Sequence, residues 1–349
     1  MRIHGGDWNS HIEQFGEIPL DFSANLSPLG IPQAVREAAV HALEHAEHYP
    51  DPYCRTLRSA ISTSLGIPLS YCLCGNGAAD LLFRMVLAVK PQTALLAVPT
   101  FSEYEAALKT VDCSIRRYHL SESEEFALTD RFLGAVTPDI DLVILCSPNN
   151  PTGLTVSPAL LQKIILRCEE NGALLAVDSC FEDFLDNPEA HSLIPNLTEH
   201  PNVLVIKAFT KLYAMPGLRL GYALSSNTAL LERMRDMGQP WPVSSLAQEA
   251  GIAAVGETAY VQSVRSLIRI QRKRMIGELL ALGLRVIPAE ANFLLFQGKS
   301  GLKQELQRQG ILIRCCADYV GLDETWYRIA IRTESENTRL LAALKKVIG

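Results

Sequence analysis

A surplus of positive charge is missing from this sequence. Its 32 lysines and arginines face 38 aspartates and glutamates, a net charge of −6 over 349 residues. Nucleic-acid binders usually carry the opposite excess, so that class of partner is not expected. Long apolar runs are missing too, and none approaches the roughly 20 residues that cross a bilayer. The opening stretch MRIHGGDWNSHIEQFGE lacks the apolar segment of a secretory signal, which points to the cytoplasm. There is no internal repeat, low-complexity tract or long linker. The nine cysteines are odd in number, and Cys72-x-Cys74 and Cys315-Cys316 lack the paired C-x2-C spacing of structural zinc. In a cytosol they read as reduced thiols. His41-Ala-Leu-Glu44-His45 spells HxxEH, an inverted zincin pattern. No third ligand accompanies it, and Glu47 and His48 extend the same polar stripe, so a solvated helix face is expected and no metal. Gly75-x-Gly77 lacks the third glycine of a dinucleotide fingerprint.

What is present is a globular composition, 48% hydrophobic and 20% charged, which excludes disorder as the main state. The length suits two or three lobes. Short apolar runs alternate with helical stretches. Tyr71–Cys74, Ala94–Val98, Leu142–Cys146, Leu174–Val177, Val203–Ile206 and Leu220–Leu224 read as strands. Asp80–Val89, Glu103–Thr110 and Pro158–Glu170 read as helices between them. Ile115–Arg117 is ambiguous. Such alternation predicts an α/β fold with a mainly parallel sheet covered on both faces. After Gly221 the pattern changes to helices at Thr228–Asp236, Leu246–Val255 and Ala259–Leu282. Short strands follow at Arg285–Ile287, Phe293–Phe296, Leu312–Arg314 and Tyr327–Ile331, with helices at Leu302–Gln309 and Ser335–Val347. That order predicts a smaller α+β lobe. Residues 1–50 read as loop plus one helix, Pro32–Glu47, too little for a core of their own.

Lys211 follows the strand Val203–Ile206, where α/β folds place ligands, and Arg219 lies eight residues on. Ser147-Pro-Asn-Asn150-Pro-Thr-Gly153 is a rigid turn after a buried strand, expected to point Asn150 outward. Asp178 ends another apolar strand, and a carboxylate there is costly unless paired. Gly75-Asn-Gly77-Ala78-Ala-Asp80 opens a helix whose free amides suit a phosphate. Pro99-Thr-Phe101 offers an aromatic face. These parts fit pyridoxal phosphate. Lys211 supplies the Schiff-base amine and Asp178 the partner of the pyridinium nitrogen. Gly77, Ala78, Thr210 and Arg219 suit the phosphate, Phe101 the ring face and Asn150 the 3-oxygen.

The order GNGxxD, PTF, PNNPTG, D, TK, GLRLGY resembles the fold-type I pyridoxal-phosphate enzymes of the aspartate-aminotransferase superfamily, over nearly the whole chain. Within it the sequence resembles histidinol-phosphate aminotransferases and, more closely, the threonine-phosphate decarboxylases of cobalamin synthesis. The closer resemblance rests on His4-Gly5-Gly6, Asp21-Phe-Ser-Ala-Asn25-Leu-Ser-Pro-Leu-Gly30, Tyr49-Pro-Asp51, Arg314-Cys-Cys-Ala-Asp-Tyr-Val-Gly-Leu-Asp323 and Tyr327-Arg-Ile-Ala-Ile-Arg332. It implies a large α/β domain with a mostly parallel seven-stranded sheet over residues 36–225. It also implies a smaller C-terminal α+β domain over 226–349 and an N-terminal segment, 1–35, packed over the active site. By motif, Arg328 matches the ligand of the substrate α-carboxylate, and His4, Gly5, Asn25 and Arg314 match substrate contacts. Tyr49 matches the residue that approaches the neighbouring cofactor in a homodimer. Two positions depart from the aminotransferases: Phe181 stands where a tyrosine usually donates to the cofactor 3-oxygen, and Ala208 where many relatives have a phosphate-binding serine. Phe181 agrees with the decarboxylases.

Side chains alternate along Tyr327–Arg332, so Arg328 and Arg332 are expected on one face. A buried ion needs a partner, so arginines gathered here suit a substrate with an anion at each end. Arg328 suits a carboxylate, and Arg314, with His4 and Asn25, a phosphate. Arg332 either joins them or pairs with a surface carboxylate. Cofactor chemistry alone does not separate decarboxylation from transamination. The resemblance favours decarboxylation of threonine phosphate, with serine phosphate or an aminotransferase of the histidinol-phosphate type as alternatives. A non-catalytic effector-sensing module is disfavoured, since such regulators carry a DNA-binding domain for which there is neither length nor a basic patch.

Overall fold

The computed structural model describes residues 5–348, so His4 lies outside the described residues. Residues 5–50 hold more regular structure than one helix: α1 (Trp8–Phe15), β1 (Leu20–Asp21) and α2 (Gln33–His41); α3 (Arg55–Leu65) follows them. The helix expected over Pro32–Glu47 stops at His41 and tightens into a 3-10 turn, Ala42–His45. Only Val35 and Ala42 are buried there, and the polar residues beyond have no face to bury. His41 pairs with Glu44 at 3.2 Å on the exposed surface. Among the described residues no cluster of histidine, cysteine, aspartate and glutamate could hold a metal ion. Helix α3 hides its apolar stripe, Leu57 and Ile61, among serines and threonines that are weak helix formers.

Seven strands form the main sheet: β2 (Cys72–Gly75), β3 (Thr93–Val98), β4 (Ser114–His119), β5 (Leu142–Cys146), β6 (Leu174–Asp178), β7 (Val203–Ala208) and β8 (Gly221–Leu224). Their order is β2-β8-β7-β6-β5-β3-β4. All neighbours from β7 to β4 are parallel, and β8 runs antiparallel to both β7 and β2. The ambiguous residues around Ile115 are the edge strand β4. None of its residues is fully buried, so no apolar run marks it. Central strands are buried on both sides and alternate between two cores. Val143, Leu145, Val203 and Val205 pack with α3, α6 (Pro158–Glu170) and α9 (Ser245–Val255). Ile144, Ala176, Leu204 and Ile206 pack with α4 (Gly77–Val89), α5 (Glu103–Lys109) and α8 (Thr228–Asp236). A single turn, α7 (Phe209–Leu212), follows β7.

The long helix α10 (Thr258–Ala281) leads into an antiparallel sheet of order β12-β13-β10-β9. Its strands are β9 (Arg285–Val286), β10 (Phe293–Gln297), β12 (Arg314–Cys315) and β13 (Trp326–Ala330), packed with α11 (Leu302–Gln307) and α12 (Glu334–Ile348). The strand expected over Leu312–Arg314 divides at Ile313. Its first part, β11 (Ile311–Leu312), pairs in parallel with β1, whereas Arg314 joins β13. Phe22, wholly buried, donates its amide to the Leu312 carbonyl and accepts from the Ala330 amide, both at 2.8 Å. Residues 20–22 are thereby stitched into the C-terminal sheet region, and this carries Ser23–Asn25 to the mouth of the main sheet. No helix among the described residues is long and apolar enough to cross a membrane.

Candidate active site

Strands β5, β6 and β7 end side by side at Cys146, Asp178 and Ala208, and a cavity of about 460 Å³ opens beyond them. Helix α7 turns the chain so that Lys211 faces this cavity, its Nζ 5.9 Å from the centroid of the Phe181 ring. Burial holds the Lys211 amine below the ordinary lysine value. The charges of Arg328 and Arg219 push the same way, against Cys180 and Asp178. A larger fraction of this amine is therefore neutral and nucleophilic than on an exposed lysine.

Asp178 meets its need for partners without a cation. Its Oδ1 accepts from the Cys180 amide at 3.0 Å and its Oδ2 from the Tyr104 hydroxyl at 2.7 Å. Tyr104, on α5, is 1% exposed. Burial, reinforced by the Asp178 charge, holds its hydroxyl well above the usual tyrosine value, so it remains a donor. The sequence reading passed over Tyr104; its only signal was the aromatic in PTFSEY. Phe101 also lines the cavity, edge-on to Tyr104 at 5.7 Å between centroids.

At the near end, the N-terminus of α4 carries no side-chain cap. Gly77 has φ +83°, and a Cβ there would stand 2.7 Å from Arg219 Nη2. A Cβ on Gly221 would stand 2.7 Å from the Ala78 amide nitrogen, so the bare strand lets the helix terminus lie against β8. Thr210 is buried in the same wall. Two glycines, amides, a hydroxyl and a guanidinium thus make an anion cradle. With the amine of Lys211 and the twice-bonded carboxylate of Asp178, the residues present fit pyridoxal phosphate.

The far end is built by one register. Arg314 on β12 and Arg328 on β13 are direct cross-strand partners, and each is 5% exposed. Like charges placed opposite each other destabilise a sheet, more so when buried. Arg314 is offset by Asp318, whose oxygens accept from its Nη2 at 2.7 and 2.6 Å. Arg328 has no carboxylate partner among the described residues. Its Nη1 donates to Asn150 Oδ1 and its Nη2 to the Ser23 carbonyl at 2.7 Å, while its buried Nε has no partner among the described residues. Asn150 is therefore buried against Arg328, not pointed outward. Gly5 and Asn25 line the same cavity, and Asn25 Oδ1 is buried without a partner among the described residues.

Two candidates stand apart. The extended chain of β13 ends at Ala330, before Arg332. There the backbone turns: the Arg332 amide donates to Asn337 Oδ1 at 3.1 Å and its guanidinium to Glu336 at 2.7 Å. Of the two placements open to it, Arg332 takes the carboxylate pairing, and it is not among the cavity residues. Tyr49 is 77% exposed and stacks on Trp241 at 4.3 Å, also outside this cavity. The second residue passed over is Tyr319, which donates to Asn150 Oδ1 at 3.2 Å and lines the cavity. It sits inside the quoted Arg314–Asp323 motif, with no local pattern to single it out.

The profile of the family Aminotransferase class I and II matches residues 17–344. The chain is 41% identical to a threonine-phosphate decarboxylase of Salmonella typhimurium, over 99% of its length and 96% of that protein's. It is 31% identical to an adenosylcobalamin biosynthesis bifunctional protein of Leptospira interrogans, over 99% of this chain and 41% of that one. The histidinol-phosphate aminotransferase from Clostridium acetobutylicum superposes with a TM-score of 0.88 at 30% identity, over 94% of this chain and 98% of that one. On these matches, and on the geometry that precedes them, the chain belongs to the class I and II aminotransferase family.

Proposed function

We propose that this chain is a pyridoxal-phosphate-dependent carboxy-lyase. It converts L-threonine O-3-phosphate to (R)-1-aminopropan-2-ol O-phosphate, a step in cobalamin assembly. The observation that carries this reading is the buried cross-strand pair of arginines that lines the same cavity as Lys211. An amino acid with a carboxylate at one end and a phosphate at the other gives Arg328 the anion it lacks and brings a second anion to Arg314, beside Asp318. Arg328, which has no carboxylate partner among the described residues, holds the α-carboxylate. Arg314, with Asn25, Gly5 and His4, takes the distal phosphate.

Pyridoxal phosphate, when bound, supplies an aldehyde for the substrate amine and a ring that withdraws electrons from Cα. Lys211 would hold it, Asp178 would pair with its ring nitrogen, and Asn150 would serve its 3-oxygen. Gly77, Ala78, Thr210 and Arg219 would hold its phosphate, and Phe101 would offer the ring a face. Lys211 Nζ, with its lowered proton affinity, is the group placed to return a proton to Cα once CO₂ has left. The reading includes a homodimer in which Tyr49 of one chain approaches the cofactor of its partner. The ring of Tyr49, exposed in its stack with Trp241, is available for that contact.

A second reading, an aminotransferase for a phosphorylated amino substrate, is favoured by the same Arg328–Asn150 contact, which serves either reaction. Incubation with threonine phosphate separates the two. The expected result is CO₂ release with no added oxo acid. A strict requirement for 2-oxoglutarate would overturn the lyase. Equal turnover of serine phosphate would widen the substrate class, since one methyl group discriminates by only about 1–3 kcal/mol.

A further inference from the structure

Tyr319 stands where the two arginine stations meet. Its ring lies 5.4 Å from the Arg314 guanidinium carbon, so that cation rests on the aromatic face. Its hydroxyl donates to Asn150 Oδ1 at 3.2 Å and lies 3.5 Å from Arg328 Nη1. Arg328 Nη1 itself bonds Asn150 Oδ1, which closes a triangle of three side chains. Tyr319 is 6% exposed. Its place is set by a tight turn: its amide donates to the Cys316 carbonyl and its carbonyl accepts from the Leu322 amide, both at 3.0 Å. Its ring belongs to a small core with Leu295 and Trp326, from the strands that flank and carry Arg328.

We propose that Tyr319 is the positioning residue that holds the two cationic stations apart and fixes how a doubly anionic amino acid spans them. The inference rests on the lyase reading above. Its two halves are separable by chemistry. The ring supports Arg314, the station for the distal phosphate. The hydroxyl locks Asn150 and Arg328, the station for the α-carboxylate. The span would decide which bond at Cα is activated. With the carboxylate seated on Arg328, the Cα–carboxylate bond would break, CO₂ would leave and Lys211 would return a proton to Cα. With it loosened, Lys211 would take the Cα proton instead; the substrate nitrogen would then stay behind as pyridoxamine phosphate, and water would supply the oxygen of the oxo acid released.

The test compares Tyr319→Phe and Tyr319→Leu in the holoenzyme with the wild type. Tyr319→Phe keeps the ring and loses one buried hydrogen bond. Its kcat for threonine phosphate should fall about five- to tenfold, with KM little changed. More turnovers should end in pyridoxamine phosphate, read as loss of the aldehyde-form absorbance that added oxo acid restores. Tyr319→Leu loses the aromatic face as well. Its KM for threonine phosphate should rise about tenfold, while that for unphosphorylated threonine stays near the wild-type value. A Tyr319→Phe enzyme with wild-type kcat and partition overturns the inference, and so do equal changes in both variants. Absence of CO₂ release from the wild type would instead overturn the lyase reading on which the inference stands.

Discussion

Replacing Gly77 by alanine tests the anion cradle. The residue holds φ +83°, and its new Cβ would stand 2.7 Å from Arg219 Nη2 and 3.2 Å from Arg219 Cζ. Two costs follow. An L-residue in the left-handed region loses roughly 1–2 kcal/mol. The Arg219 guanidinium is the mobile end of an exposed side chain and can swing aside, but only by leaving its place beside the start of α4, where its Nη1 donates to the Pro216 carbonyl at 3.2 Å. Displacing it weakens a hydrogen bond to a charged group, worth about 1.5–3 kcal/mol, which is about ten- to a hundredfold in cofactor affinity. Urea denaturation of the apoprotein measures the first cost, and absorbance titration with pyridoxal phosphate the second. Gly217→Ala is the control, since a Cβ there meets nothing within 4 Å. It should leave both quantities unchanged. Wild-type cofactor affinity in Gly77→Ala, or an equal loss in Gly217→Ala, would refute the cradle.

Three further outcomes are expected. Tyr104→Phe removes the 2.7 Å bond to Asp178 Oδ2 and leaves that oxygen with one partner fewer. Cofactor affinity should drop about tenfold, and the pH titration of the bound-cofactor spectrum should move; unchanged spectra would separate Tyr104 from Asp178's role. Arg314→Ala should raise KM for threonine phosphate far more than for threonine, and equal effects would remove Arg314 from phosphate binding. The rate at which the apoprotein captures pyridoxal phosphate should climb with pH as the Lys211 amine loses its proton. Since burial holds this amine below its ordinary value, the midpoint should lie below about 10.4. Arg328→Gln, by removing a neighbouring positive charge, should move the midpoint upward, and a downward shift would contradict the electrostatics.

Much of the scaffold was legible because burial and local chemistry coincide there. Strand β5 reads as five consecutive buried residues, and α6 begins where Ser157 caps the Leu160 amide with proline in the first turn. The cofactor end of the site was legible for a related reason. Lys211, Asp178, Asn150 and Gly77 each fall at or just beyond a strand end, so a local motif already fixes their place. The substrate end depends on register. Arg314 faces Arg328 only because the chain breaks at Ile313 and pairs β12 with β13. The same sheet ends before Arg332, which a strict alternation could not reveal. Tyr104 and Tyr319 were passed over because their partners lie 74 and 169 residues away in sequence, at Asp178 and Asn150.

The most direct measurement is borohydride reduction of the cofactor-loaded protein followed by peptide mapping. Lys207, four residues earlier, is an internal comparison. It is equally near the end of β7, but its ammonium is committed to Glu182 at 3.2 Å and Asp183 at 2.9 Å, and those carboxylates hold it protonated despite burial. The account expects one pyridoxyl group per chain, on Lys211. A label on Lys207, or a chain that takes up none, would contradict it.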